Sequence, residues 1–151
     1  MTLPDIRSLI PHTGPMVLLD RIISADAESL CAEVCIRSDS LFCGPRGVGA
    51  WVGLEYMAQA IAACAGYGGR LRGEPVKLGF LLGTRRYECN QTLFLLGSVL
   101  QVHVRRMLQN ENGLGSFECR IDDLQTLLAT ATITVFQPAD ADGFLQGAQN
   151  E

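Results

Sequence analysis

Two polar side chains interrupt the most apolar stretch of the chain. Residues 54–65 are nearly all apolar, and only Glu55 and Gln59 carry strongly polar side chains there. They stand four positions apart, which places them on one face if the stretch is helical. A carboxylate in the first turn of such a helix is either a capping acid at the positive helix end or a group kept for proton transfer. Glu55 is therefore the first candidate for acid–base chemistry.

The same stretch predicts the longest helix of the chain, over residues 49–66. A helix that is apolar on every side is normally buried on every side. The apolar run is also too short to span a bilayer, which takes about 20 residues. The remaining chain is therefore expected to wrap around this helix, and Gly66, Gly68 and Gly69 are expected to end it.

Alternating apolar residues predict strands on both sides of the helix. Two strands, over residues 16–25 and 29–37, precede it and form a hairpin, and residues 39–49 are expected to be loop. Four β segments follow it, over residues 76–89, 92–107, 113–122 and 126–136. This order predicts an α+β domain with one antiparallel β-sheet wrapped around a long central helix.

Composition limits the classes of function. The 151 residues suffice for one domain with a sizeable core, which we expect to span residues 1–138, with residues 139–151 as a disordered tail. A net charge of -4 does not indicate a basic surface that would bind nucleic acid. The first residues lack the pattern of a signal peptide. We therefore expect a cytoplasmic protein that binds neither nucleic acid nor membrane.

Several segments, in order along the chain, resemble the bacterial 3-hydroxyacyl-[acyl-carrier-protein] dehydratases of the FabZ type. Residues 9–22 resemble their opening L-x-P-H-R-x-P-x-L-x-x-D-R-V, and residues 54–59 resemble L-E-A-M-A-Q on their central helix. Residues 83–89 lie where those enzymes have G-I-D-K-x-R-F, and residues 115–119 with 128–133 resemble their last hairpin. Residues 51–59 and 79–87 are most similar to the divergent dehydratase-like branch found with aryl-polyene and related polyketide or fatty-acid gene clusters. The resemblance implies the hotdog fold.

The resemblance also implies a set of site residues, with no cofactor and no metal. These dehydratases take a histidine from G-H-F-P and a glutamate from E-A-M-A-Q, and the two reach one site from the two subunits of a dimer. Glu55 matches the glutamate, and Ala50 matches the glycine whose N–H points at the thioester oxygen. The further expected contacts are Trp51 and Gln59 at the substrate, and Arg85 and Arg86 at the phosphopantetheine or the acidic carrier protein, with solvated strand charges as the alternative.

The histidine of the family pattern is missing from this sequence. It precedes the glutamate by fourteen positions, where this chain has Leu41, and an alignment on residues 42–44 puts Pro45 there instead. His12 lies where the family also carries a histidine. It is either a loop-packing residue or a replacement base near Glu55 of the partner subunit. His103 lies in an alternating segment, which indicates a structural or surface histidine.

These observations favour a 3-hydroxyacyl-[acyl-carrier-protein] dehydratase, or a dehydratase-like protein, that acts on acyl thioesters. The alternatives are a non-catalytic hotdog subunit that pairs with an active dehydratase, and an acyl-thioester hydrolase, because one fold hosts several reactions. We expect an acyl carrier protein as substrate carrier, and either a homodimer or a heterodimer with another hotdog protein.

All six cysteines are expected to be reduced. They are scattered without a C-x-x-C pair, and with only two histidines the chain predicts no zinc site. Free thiols in a reducing compartment account for them. Alkylation without a reductant should therefore modify six thiols, as counted by mass spectrometry. Protection of two or more cysteines would contradict this expectation.

Overall fold

One antiparallel sheet packs against one long helix in the computed structural model, which describes residues 3–74 and 80–136. In chain order the structure contains 3-10 turns at Ile6–Ser8 and Gly14–Met16, β1 (Arg21–Ala25), β2 (Ser29–Cys35), β3 (Gly47–Gly49), a 3-10 turn at Ala50–Val52, α1 (Gly53–Leu71), β4 (Phe80–Cys89), β5 (Leu93–Leu95), β6 (Val99–Gln109), β7 (Leu114–Asp122) and β8 (Leu127–Phe136). The large sheet has the order β1-β2-β6-β7-β8-β4, and β3 pairs with β5 in a small second sheet. The α+β prediction is confirmed, and the expected tail lies outside the described residues.

The core lies between α1 and the inner face of the sheet. Met57, Ala60 and Ala63 of α1 have no exposed surface. On β6, Leu100 and Val102 are equally buried, because alternate residues of a strand point to the same face. Burying one such apolar side chain contributes about 1.5–3 kcal/mol. Gln101 and His103, which alternate with these buried residues, therefore lie on the outer face of the sheet.

The central helix begins later and ends later than the sequence predicted. Residues 50–52 form the separate 3-10 turn, and α1 continues through all three glycines that were expected to end it. Gly66 has a packing role instead, because a Cβ there would collide with the carbonyl oxygen of Leu9. Glycine lets the N-terminal segment lie directly against the helix. The prediction of a helix end at Gly66 was wrong, because this glycine is required for close packing against Leu9 and does not terminate the helix.

The predicted strand over residues 92–107 is two strands. Gly97 has a φ of +88°, a left-handed conformation that glycine adopts without steric cost, and it separates β5 from β6. While β6 joins the large sheet, β5 pairs with β3, which lies in the segment predicted to be loop. The first predicted strand also shortens, because its start forms a 3-10 turn. Pairing with β5 thus fixes β3, the strand that directly precedes the 3-10 turn and α1.

Substituting two glycines of α1 should give opposite effects. Gly66→Ala places a methyl group against the Leu9 backbone, so we expect the free energy of unfolding to fall by ~1–3 kcal/mol. Gly68→Ala meets no atom closer than 3.4 Å, and that atom ends the flexible Arg72 side chain. It should raise the free energy of unfolding by up to ~1 kcal/mol through helix propensity. Urea denaturation measures both, and equal stabilisation by the two variants would contradict the packing role of Gly66.

Candidate active site

A buried glutamine joins the central helix to the N-terminal segment. Gln59 has no exposed surface. Its side-chain oxygen accepts a hydrogen bond from the N–H of Leu18 at 2.9 Å, and its amide nitrogen donates to the carbonyl oxygen of Met16 at 2.7 Å. The amide nitrogen also donates to Oε1 of Glu55 at 3.2 Å. Both amide protons are therefore used. Gln59 therefore has no free donor in this structure, and its expected contact with the substrate stays a prediction.

Glu55 is held at one carboxylate oxygen and open at the other. It lies in the first turn of α1, and its side chain is 44% exposed. Oε1 receives the amide of Gln59 and lies 3.7 Å from Nε2 of His12. Oε2 makes no hydrogen bond within residues 3–74 and 80–136. The carboxylate is thus oriented by its neighbours while one oxygen remains available for proton transfer.

His12 lies beside Glu55 of its own chain. One of the two alternatives from the sequence put it near Glu55 of the partner subunit; in the structure its Nε2 atom lies 3.7 Å from Oε1 of Glu55 of the same chain. The reason is the pair of bonds from Gln59, which hold the segment after His12 against α1. The Nδ1 atom of His12 is buried and has no hydrogen-bond partner among the described residues. An unsatisfied buried polar atom costs about 1–3 kcal/mol.

The backbone N–H that was expected to bind the thioester oxygen is already used. The N–H of Ala50 donates to the carbonyl oxygen of Thr92 at 2.9 Å, which extends the β3–β5 pairing by one bond. The N–H of Gly53 donates to the carbonyl oxygen of Ala50. The N–H of Trp51 lies between them in the first turn, where an N–H has no acceptor within the helix. The candidate oxyanion donor is therefore the N–H of Trp51 in place of that of Ala50.

An exposed aromatic pair lies at the start of the central helix. The side chain of Trp51 is 68% exposed, and its ring lies 5.4 Å from the ring of Phe42. Trp51 stands four positions before Glu55, so the two lie near one face of the helix start. Phe42 adopts a φ of +69°, and it too is exposed. Large exposed aromatic side chains beside polar site residues are typical of binding surfaces.

Arg85 and Arg86 lie on the outer face of the sheet, away from Glu55. Arg85 pairs across the strands with Thr132, which lies in the outer-face row of Arg105 and Glu118. Arg86 lines a groove of about 490 Å³ on that face and approaches Glu88 at 3.7 Å. Their expected contact with the phosphopantetheine or the acidic carrier protein therefore stays a prediction, as does the alternative of solvated strand charges.

The other histidine belongs to a structural cluster on the outer face. Nε2 of His103 lies 2.9 Å from Asp122, and the sulfur of Cys31 approaches the same nitrogen at 3.9 Å. A nucleophilic triad needs the base and the orienting acid on different ring nitrogens. Burial raises the pKa of the Cys31 thiol to about 11, so it stays protonated. This cluster therefore does not form an activated thiol, and all six cysteines are free in the structure.

Sequence reasoning missed one side chain at the helix start. The hydroxyl of Tyr87, on β4, donates a hydrogen bond to the carbonyl oxygen of Ala50 at 2.6 Å. The family pattern leaves the corresponding position unspecified, so no motif marked it. The contact depends on how β4 is shaped, which the sequence alone does not indicate.

Comparisons with known proteins identify the family of the chain. Residues 4–146 match the family described as ApeP dehydratase. The chain belongs to the ApeP dehydratase family. A chain in the solved dehydratase heterocomplex ApeI:P from Xenorhabdus doucetiae has a TM-score of 0.89 and 31% identity, covering 99% of this chain and 100% of that one. The protein is thus a dehydratase-like hotdog protein, as the resemblance implied.

More distant structures share the fold alone. AziG from S. sahachiroi has a TM-score of 0.61 and 12% identity, covering 78% of this chain and 90% of its own. A hypothetical thioesterase solved with coenzyme A from Streptococcus pneumoniae has a TM-score of 0.60 and 12% identity, with coverages of 78% and 86%. No curated protein matches the chain. Within the described residues, no helix is both long and apolar enough to cross a membrane.

Replacing Gln59 by leucine should loosen the site and the fold together. Gln59→Leu leaves the Leu18 N–H and the Met16 carbonyl oxygen without their partner, so we expect the free energy of unfolding to fall by ~1–3 kcal/mol. The exposed turn residue Gln125 provides a control, since Gln125→Leu should change stability by less than about 0.5 kcal/mol. Similar urea midpoints for the two variants would show that the Gln59 bonds are not stabilising.

Proposed function

We propose that this chain is a subunit of a dehydratase that removes water from 3-hydroxyacyl thioesters held by an acyl carrier protein in aryl polyene biosynthesis. The observation that carries the proposal is the Glu55 carboxylate, oriented through Oε1 by buried Gln59 and open at Oε2. Membership of the ApeP dehydratase family supports the reaction class. We place the reaction in the cytoplasm, where acyl carrier proteins and their substrates are expected.

Removal of water requires a base, an acid and a site for developing charge. The base takes the proton from C2, the electrons of that bond form the C2–C3 double bond, and the C3–O bond breaks. The acid gives its proton to the departing oxygen, which leaves as water. We assign the acid to Oε2 of Glu55. The N–H group of Trp51 stabilises the charge on the thioester oxygen, helped by the positive end of α1.

A partner chain is the first candidate source of the base. Neither Leu41 nor Pro45 can replace the histidine of the family pattern, because neither side chain accepts a proton. The exposed rings of Phe42 and Trp51 beside Glu55 suit coverage by a second hotdog protein. The similar structure from Xenorhabdus doucetiae is a heterocomplex, which favours the same arrangement here. The partner would then retain the G-H-F-P histidine.

His12 is the second candidate for the base. Its Nε2 atom lies 3.7 Å from Oε1 of Glu55, and its buried Nδ1 atom lacks a partner among the described residues. In this arrangement a homodimer would act without another hotdog protein, and His12 would take the C2 proton while Glu55 protonates the hydroxyl. Arg85 and Arg86 serve either arrangement as contacts for the acidic carrier protein.

Glu55→Gln should abolish most dehydration while preserving the fold. A neutral amide keeps the shape and the hydrogen bonding of the carboxylate but cannot protonate the hydroxyl. We expect turnover by the chain, paired with a hotdog protein that retains the family histidine, to fall by about 10²–10⁴-fold. Mass spectrometry of the 3-hydroxyacyl carrier protein measures the loss of water. The exposed turn residue Glu111 supplies the control, since Glu111→Gln should retain full turnover.

The remaining outcomes separate the alternatives. A loss for His12→Ala as large as that for Glu55→Gln, at unchanged melting temperature, would assign the base to His12. Full turnover by Glu55→Gln would make the carboxylate structural and would fit the non-catalytic subunit. Release of free acid in place of the unsaturated thioester would indicate a hydrolase.

A further inference from the structure

The hydroxyl of Tyr87 reaches the helix start because β4 contains a β-bulge. Arg85 pairs with Thr132 and Glu88 with Thr130, so two residues of β4, Arg86 and Tyr87, stand opposite the single residue between those threonines. Arg86 adopts a φ of +55°, in the left-handed region that costs a residue with a side chain roughly 1–2 kcal/mol. In a regular strand Tyr87 would share the outer face with Arg85. The bulge turns it inward instead.

The first residue of α1 leaves room for this hydroxyl. A Cβ at Gly53 would collide with the oxygen of Tyr87, and it would also lie 3.0 Å from the ring of Phe94. Glycine has a low helix propensity, so its presence here indicates that room for the Tyr87 hydroxyl matters more than helix propensity. The bulge, the left-handed Arg86 and Gly53 all serve the single hydrogen bond from Tyr87 to Ala50.

Hydrogen bonds to both backbone groups of Ala50, its carbonyl oxygen and its N–H, hold the 3-10 turn in place. The carbonyl oxygen of Ala50 accepts from Tyr87 at 2.6 Å and from the N–H of Gly53, while the N–H of Ala50 donates to Thr92 at 2.9 Å. Burial raises the pKa of the Tyr87 hydroxyl well above its ordinary value, so it remains a donor. The turn that is held in this way carries the N–H group of Trp51.

We propose that Tyr87 is a positioning residue for the dehydration site, which holds the Trp51 N–H group at the place of the thioester oxygen. This inference rests on the proposed function. It assigns Tyr87 no contact with the substrate: the hydroxyl acts through the Ala50 carbonyl oxygen. Misaligned donors stabilise developing charge less, whereas the remote parts of an acylated carrier protein still bind.

The test compares two hydroxyl deletions in the paired enzyme. Tyr87→Phe should lower kcat by about tenfold and leave KM within about twofold, because the lost interaction matters in the transition state. Tyr67→Phe removes the same group from α1 at about 18 Å from Glu55 along the helix, and it should change neither constant. An unchanged kcat for Tyr87→Phe, or an equal loss for Tyr67→Phe, would overturn the proposal.

Trp51 is the only tryptophan, so its fluorescence reports on the same turn without an activity assay. Faster local motion of Trp51 in Tyr87→Phe, seen in the decay of fluorescence anisotropy, is expected, with no change in Tyr67→Phe. If the wild-type pair fails to dehydrate, the proposed function is wrong, and this measurement alone decides the role of Tyr87. Unchanged anisotropy decay in Tyr87→Phe would overturn that role.

A substitution at Gly53 should disrupt the same hydrogen bond, from Tyr87 to Ala50. Gly53→Ala pushes a methyl group into the position of the Tyr87 oxygen, so it should lower kcat as well. Adding Tyr87→Phe to Gly53→Ala should cause little further loss, since both changes break one contact. Fully additive losses would show that the two residues act independently and would count against the proposal.

Discussion

The three hydrogen bonds of the buried Gln59 amide are the contact on which the site depends. They fasten the N-terminal segment to α1 at Met16 and Leu18, and the same amide orients Glu55. Because His12 belongs to that segment, one side chain sets the distance between the two titratable groups of the site. Water cannot substitute easily, since Gln59 has no exposed surface.

The helix start is held in a similar way, by polar contacts at the edge of an apolar core. Tyr87 and Thr92 come from different parts of the chain after α1, and both bind the backbone of Ala50. The sheet beneath supplies rigidity through close packing against α1, while the outer face of the sheet remains polar. Within residues 3–74 and 80–136, this arrangement leaves Oε2 of Glu55 and the N–H of Trp51 available at the site. These two groups suit the acid and the charge stabilisation that a thioester elimination needs, and the base is the third requirement.

The sequence predicted the architecture and the candidate acid because both depend on local pattern. Alternation marks the strands, and the apolar run marks the helix, with Glu55 and Gln59 four apart on it. The errors arose where long-range contacts decide. Gly66 lies within the helix because Leu9 approaches it, and the N–H of Ala50 is used because Thr92 lies opposite. The inward turn of Tyr87 depends on a bulge against β8, and no spacing rule within β4 indicates it.

The most direct test is the conversion of a 3-hydroxyacyl carrier protein by this chain alone, by a hotdog partner that retains the family histidine, and by the two mixed. Mass spectrometry follows the loss of water from the acyl group. The account predicts that this chain alone forms little unsaturated product and that the mixture converts faster than the two separate rates added together. A mixture no faster than that sum would contradict a shared site built on Glu55 of this chain.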